Sequence, residues 1–176
     1  MKRVLIFAFC FSSCVNINAQ ISFSKLKDRN TNMKLPESIK NMVVSNTKGM
    51  DAVEIADYCN NLTCDLFSYS TTVNVTPNLN KSKGHCVTYS TVCKELCNTA
   101  YKANNVNALA KVVVGQIKIS NVNIHEVITS LLPAEYERFF INHDIVEIIY
   151  DNKSLLIDPS LTDICNFKVT YNTTSE

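Results

Sequence analysis

Three residues of this chain stand where thiol chemistry needs them. Cys86 follows Gly84-His85 at the start of a helical pattern. His143 opens an apolar strand in Asn142-His143-Asp144-Ile145-Val146-Glu147, and Asp158 closes the next one in Leu156-Ile157-Asp158-Pro159-Ser160. A thiol, an imidazole base and a carboxylate that orients the base are the equipment of nucleophilic acyl transfer. A helix amino terminus offers unpaired N–H groups and the positive end of a dipole, both of which favour thiolate over thiol. The same N–H groups suit an oxyanion on an attacked carbonyl. Gly84 allows a tight backbone entry just before the cysteine. In a hairpin, the start of one strand and the end of the next are neighbours, so Asp158 can accept the His143 N–H and fix its tautomer. Each residue also has a plain reading: Cys86 as the first member of an apolar stripe, His143 as a solvated polar residue, Asp158 as a turn former before proline. The residues by themselves leave a Cys-His-Asp site and these structural roles evenly balanced.

The elements that must hold these residues read as follows. Residues 20–34 are polar and weakly periodic, a flexible lead. Pro36 to Val44 reads as a short helix with Pro36 near its first turn. From Met50, the positions Val53, Ile55, Ala56, Cys59 and Leu62 predict an amphipathic helix. Leu66 to Val75 alternates loosely, and Pro77 to Gly84 is loop by composition. Cys86, Tyr89, Cys93, Leu96, Cys97 and Ala100 fall on one helical stripe that ends at Asn104-Asn105. Lys111 to Ile119 is a β-branched run, a buried strand with Gly115 marking a close approach. Residues 124–140 are helical or irregular. His143 to Tyr150 and Ser154 to Asp158 are strands joined by Asp151-Asn152-Lys153, a tight hairpin. Phe167 to Tyr171 adds a last strand. Helices first and paired strands later predict an α+β fold with the nucleophile helix packed on an antiparallel sheet.

The ends of the chain carry further information. Lys2 and Arg3, the apolar run Val4 to Val15 and Asn18-Ala19-Gln20 form an export signal over residues 1–19, cut after Ala19. Ser12-Ser13-Cys14 is a lesser alternative, the end of a lipoprotein signal with a lipid anchor at Cys14. The expected location is therefore secreted, periplasmic or at the cell surface. No later stretch is long enough to span a membrane. Residues 20–48 form the lead, 49–171 the domain and 172–176 a polar tail. Loss of Lys2 and Arg3 turns the net charge from +1 to −1, which argues against a nucleic-acid surface. Of eight cysteines, Cys10 and Cys14 fall in the leader. Cys93 and Cys97 sit four apart on one helix face, poor geometry for a bridge, and read as small buried residues. Cys59 and Cys64 can close a short loop if their helix ends by Asn61. Paired CxxC spacing is missing, so a structural zinc is not expected. The five Asn-x-Ser/Thr triplets, at Asn61, Asn74, Asn80, Asn152 and Asn172, are what an asparagine-rich chain produces by chance.

The three segments resemble the transglutaminase-like superfamily of papain-like cysteine enzymes. The resemblance rests on Gly84-His85-Cys86 at a helix start, Val112-Val113-Val114-Gly115 in a strand, His143-Asp144-Ile145-Val146-Glu147, and Asp158-Pro159-Ser160, in that order over residues 84–160. It implies Cys86 as nucleophile, His143 as base and acid, and Asp158 as the orienting carboxylate. It also implies the papain-like fold, a protein or peptide substrate, and no metal or organic cofactor. Many members carry an aromatic residue beside the cysteine and two places after the histidine. Here those places hold Val87 and Ile145, and the chain has no tryptophan. Two functions follow: a secreted enzyme acting on amides, with hydrolysis ahead of cross-linking, or an idle copy of the fold serving as an exported binding module. His125 ranks below His143 as the base, because no strand ending in Asp-Pro follows it. His85 precedes the nucleophile and could tune its pKa, but a solvent-facing role is expected ahead of that.

Overall fold

Four long strands assemble one antiparallel sheet in a computed structural model that describes residues 21–70, 79, 83–119, 122–123, 142–165 and 171. Its strands are β1 (Ile21–Arg29), β4 (Ala108–Ile119), β6 (His143–Tyr150) and β7 (Lys153–Ile157), in the order β1-β4-β6-β7. The short β5 (Val122–Asn123) pairs with the end of β4. A separate parallel pair joins β2 (Ser68–Tyr69) to β3 (Lys83–Gly84). The helices are α1 (Glu37–Asn46), α2 (Ala52–Leu66), α3 (Cys86–Asn104) and α4 (Pro159–Cys165). This is a mixed α+β fold, with α3 laid on β4 and β6.

Helix α3 is the centre of the core. Tyr89, Val92, Cys93, Leu96, Cys97 and Ala100 are all fully buried. They meet Ile55, Ala56 and Cys59 of α2 and Ala110, Val146, Ile148 and Ile157 of the sheet. Each aliphatic side chain removed from water in this way contributes about 1.5–3 kcal/mol. Asn98 ties helix to sheet by bonding both backbone groups of Ala110, donating to its carbonyl at 2.9 Å and accepting from its N–H at 2.8 Å. Asn105 ends α3 in the left-handed conformation at φ 55°, which asparagine tolerates better than most residues. The start of α2 carries a capping box: Asp51 accepts from Val53 and Glu54 backbone N–H groups, and Glu54 accepts from the Asp51 N–H.

Several expectations change. Residues 21–29 form an edge strand paired to β4 along its length, and the lead is therefore part of the sheet. Its polar surface hid this, since Lys25, Lys27 and Asp28 suit an edge that must resist pairing with other chains. The short helix forms as expected, with Pro36 as its N-cap beside the first turn, and runs on to Asn46. Strand β4 begins at Ala108, earlier than expected. The hairpin loop is two residues, Asp151 and Asn152, with φ of 46° and 58°, the conformation that right-twisted strands prefer. Asp158-Pro159 leads into helix α4, for which no expectation was set, with Thr162 N–H bonding the Asp158 carbonyl at 2.9 Å. The bridge between Cys59 and Cys64 does not form, because α2 continues to Leu66 and holds them apart as free thiols. The leader, residues 124–140 with His125, and the expected strand 167–171 apart from Tyr171 lie outside the described residues. No helix among the described residues is long and apolar enough to cross a membrane.

Candidate active site

The site is built where three elements end. Cys86 is the first residue of α3, at the tip of its buried stripe but half-exposed. Gly84, just before it, is buried in β3, and a Cβ there would stand 3.1 Å from Thr88 Cγ2 and 3.2 Å from Tyr89 Cε2. Its role is thus close packing against the first helical turn, and it needs no left-handed conformation. His143 opens β6 opposite Gly115 of β4. A Cβ on Gly115 would overlap the Ser24 carbonyl and the Phe23 ring, which accounts for the glycine inside a valine-rich strand. Asp158 is the first residue past β7.

These three residues converge. His143 Nε2 lies 2.6 Å from Asp158 Oδ2, and the imidazole also hydrogen-bonds the Cys86 thiol. With Nε2 committed to the carboxylate, the other ring nitrogen is left to serve the sulfur. His143 is 8% exposed and Asp158 0%. The buried carboxylate is fully subscribed. Its Oδ1 accepts from Ser160 Oγ at 2.8 Å and Leu161 N–H at 2.9 Å, and its Oδ2 also accepts from Tyr171 Oη at 2.6 Å.

The electrostatics follow from these contacts. Burial pushes the Cys86 thiol up, but hydrogen bonds from His143 and His85 and the His143 charge outweigh it, bringing the thiol down to about 7. Burial lowers His143, and the Asp158 charge and hydrogen bond override it, so the imidazole stays protonated well above its ordinary range. Burial raises Asp158, while His143, Tyr171 and the Leu161 N–H hold it below the usual carboxylate range. Cys64 and Cys93 run the opposite way. Burial pushes Cys64 up to about 12, and contact with Cys97 together with burial raises Cys93 well above normal. An exchangeable proton, a thiolate at neutral pH and a fixed imidazole make the arrangement competent for attack on a carbonyl.

Three contributors, Tyr69, Tyr171 and Asp144, were not expected from the sequence, and His85 was expected only as a lesser alternative. Tyr69 of β2 reaches the site because β2 pairs with β3, setting Tyr69 opposite Gly84. Burial and the neighbouring Cys86 and Asp158 charges raise its phenol, and its ring lies 6.3 Å from that of Tyr89. An aromatic residue is thus set opposite Gly84, two residues before the thiol, although position 87 is valine. Tyr171 packs on Phe23 at 5.7 Å between ring centroids while bonding Asp158. Asp144, 2% exposed, pairs with Arg29 of β1 through Nε at 2.5 Å and Nη2 at 3.1 Å. His85 is half-buried, and its hydrogen bond is among the causes that lower the Cys86 thiol, the tuning role weighed for it beside the solvent-facing one. Adjacency to Cys86 and His143 was the only signal for His85 and Asp144. The two tyrosines arrive through pairing and packing that no local pattern encodes.

No family model, curated protein or solved structure matches this chain. Function must be read from the site itself. Among the described residues, no group of three or more His, Cys, Asp or Glu side chains is arranged to hold a metal ion.

Proposed function

We propose that the chain is an exported thiol enzyme with a papain-like, transglutaminase-like architecture, acting on amide bonds of proteins or peptides. The observation that carries this is the contact chain Cys86–His143–Asp158, with its 2.6 Å imidazole–carboxylate bond. The antiparallel sheet with α3 laid across it is consistent with that architecture.

In the first half-reaction the Cys86 thiolate attacks the amide carbonyl, forming the C–S bond as the carbonyl π electrons move to oxygen. Backbone N–H groups at the start of α3 are suited to stabilise that oxygen. Collapse breaks the C–N bond, and His143 gives its proton to the departing nitrogen. A thioester and a free amine or ammonia result. In the second half-reaction His143 takes a proton from water, whose oxygen attacks the thioester and releases the acid and the Cys86 thiolate. An amine in place of water gives a cross-link. Hydrolysis is favoured over cross-linking, because nothing in the sequence identifies a second, amine-binding surface. Asp158 keeps the ring aimed and the imidazolium stabilised throughout.

The test is incubation of the protein with a proteome-derived peptide mixture and mass spectrometry of the products. New termini indicate proteolysis, carboxamide converted to carboxylate indicates deamidation, and joined peptides indicate cross-linking. Val87 and Ile145, where related enzymes carry aromatics, favour a second reading as an idle binding module. That reading gains if no amide or ester substrate traps an acyl group on Cys86.

A further inference from the structure

The strand that delivers Cys86 is short. Strands β2 and β3 have two residues each, and a ladder of that length does not hold itself together in water. Its anchor comes from α4, the helix that follows Asp158. Asp163 Oδ2 accepts the Tyr69 backbone N–H at 3.1 Å and the Tyr89 hydroxyl at 2.7 Å. Tyr69 stands opposite Gly84 in the ladder, and Ser70 N–H donates to the Gly84 carbonyl at 2.7 Å. Tyr89 lies in the first turn of α3, and a Cβ on Gly84 would stand 3.2 Å from its ring. One carboxylate oxygen therefore grips both walls around the residue two places before the nucleophile. Such charge-assisted bonds are roughly twice as strong as neutral ones, so they can fix a segment that its own ladder cannot.

The head of the same helix is occupied by the base. Asp158, immediately before Pro159, orients His143. The Pro159 carbonyl accepts from Cys64 Sγ at 3.2 Å, which pins α4 to α2. Helix α4 thus has at its head the carboxylate that holds the imidazole, and further along it the carboxylate that grips the approach to the thiol.

We infer that Asp163 is a positioning residue of the nucleophile, seating the Gly84–Cys86 entry against the helix whose head carries Asp158 and His143. Sulfur and imidazole are then aligned through one helix, although they come from segments far apart in sequence. Asp163 touches no reacting atom, and no bond is made or broken at it. Its catalytic meaning rests on the thiol-enzyme reading, but the placement of Cys86 can be tested without a substrate.

The experiment is the pH dependence of alkylation by iodoacetamide in the full chain, read site by site by mass spectrometry. Asp163→Ala removes both hydrogen bonds. With the sulfur displaced from His143, Cys86 alkylation at neutral pH should fall roughly tenfold and recover in alkali, where the thiolate forms unaided. Loss of a nearby negative charge would by itself favour the thiolate, so a slower thiol reports displacement. The other titratable groups around the sulfur, His85, His143, Asp144 and Tyr69, are unaltered. Cys59, Cys93 and Cys97 are buried and should stay unlabelled, which separates a displaced nucleophile from a loosened fold. Asp163→Asn keeps an oxygen that can accept from both donors and should recover most of the rate. An Asp163→Ala profile that superimposes on the parent's overturns the inference, as does an Asp163→Asn profile equally slow. If Asp163→Ala exposes the core thiols, Tyr89→Phe replaces it, since it deletes one hydrogen bond and keeps the ring. Cys86 alkylation slowed roughly two- to threefold is then expected, and an unchanged rate overturns the inference. A shifted profile in a protein that processes no amide would leave Asp163 in this role and remove the proposed activity. Amide turnover with an unshifted profile would do the reverse.

Discussion

His143 Nε2 and Asp158 Oδ2 approach to 2.6 Å inside a site where the carboxylate has no exposure to water. The pair links the end of β7 to the start of β6. It also sets the pH range of its own contribution to stability. His143 is raised in the folded state, so its share is complete below its unfolded value and lost as pH rises through the folded one. Asp158 is lowered, so its share is present above its unfolded value and lost as pH falls through the folded one. The pair therefore supports the fold from the mildly acidic range to beyond neutrality.

Asp158→Asn should damage both fold and turnover. Both carboxylate oxygens accept from donors, Ser160 and Leu161 on one side and His143 and Tyr171 on the other. An amide NH2 must oppose one of those pairs whichever way it turns. A loss of about 3–5 kcal/mol in denaturant unfolding is expected, with turnover down by about 10⁴-fold in the fraction that remains folded. Full activity in this variant would remove Asp158 from the mechanism.

Alkylation should single out one thiol. Cys86 ionises at about 7 and Cys64 at about 12, so near neutral pH the rate at Cys86 should exceed that at Cys64 by orders of magnitude. The Cys86 rate should rise with pH around 7 and then level off. Cys59, Cys93 and Cys97, each buried without exposure, should label only on unfolding. Peptide mapping after timed labelling checks the order, and early modification of Cys64 would contradict it.

Cys86→Ala should abolish acyl transfer while the melting temperature stays within a few degrees of the parent's. The residue is half-exposed at the tip of α3 and belongs to none of the buried core. Thermal melts followed by circular dichroism, beside the peptide assay, test this. His125→Ala should leave both the melt and Cys86 labelling unchanged.

Tyr171→Phe removes one donor from Asp158 while keeping the ring on Phe23. The expected cost is about 1–3 kcal/mol, read as a lower denaturation midpoint at unchanged m value.

Gly115→Ala should displace the site from a distance. The added Cβ meets the Ser24 backbone and the Phe23 ring, and Gly115 pairs directly with His143. A loss of about 1–3 kcal/mol is expected, with slower Cys86 alkylation at neutral pH as His143 is shifted. Alkylation as fast as the parent's would show that β1 yields and β6 does not.

The sequence alone determined what local patterns can encode. The helical spacing from Tyr89 to Ala100 fixed which face of α3 is buried, because side chains repeat about every 3.6 residues. The β-branched runs and the Asp151-Asn152 loop fixed the β6–β7 hairpin, and so brought His143 near Asp158. Tertiary structure decided the rest. Residues 21–29 became a strand only because β4 offers them an edge, and their own alternation is too weak to announce it. Tyr69 came opposite Gly84 through a two-residue strand pair, Tyr171 reached Asp158 from beyond α4, and Arg29 found Asp144 from the opposite end of the chain. These contacts depend on side-chain burial and on pairing between segments far apart in sequence, and neither leaves a periodic trace in the residues that make them.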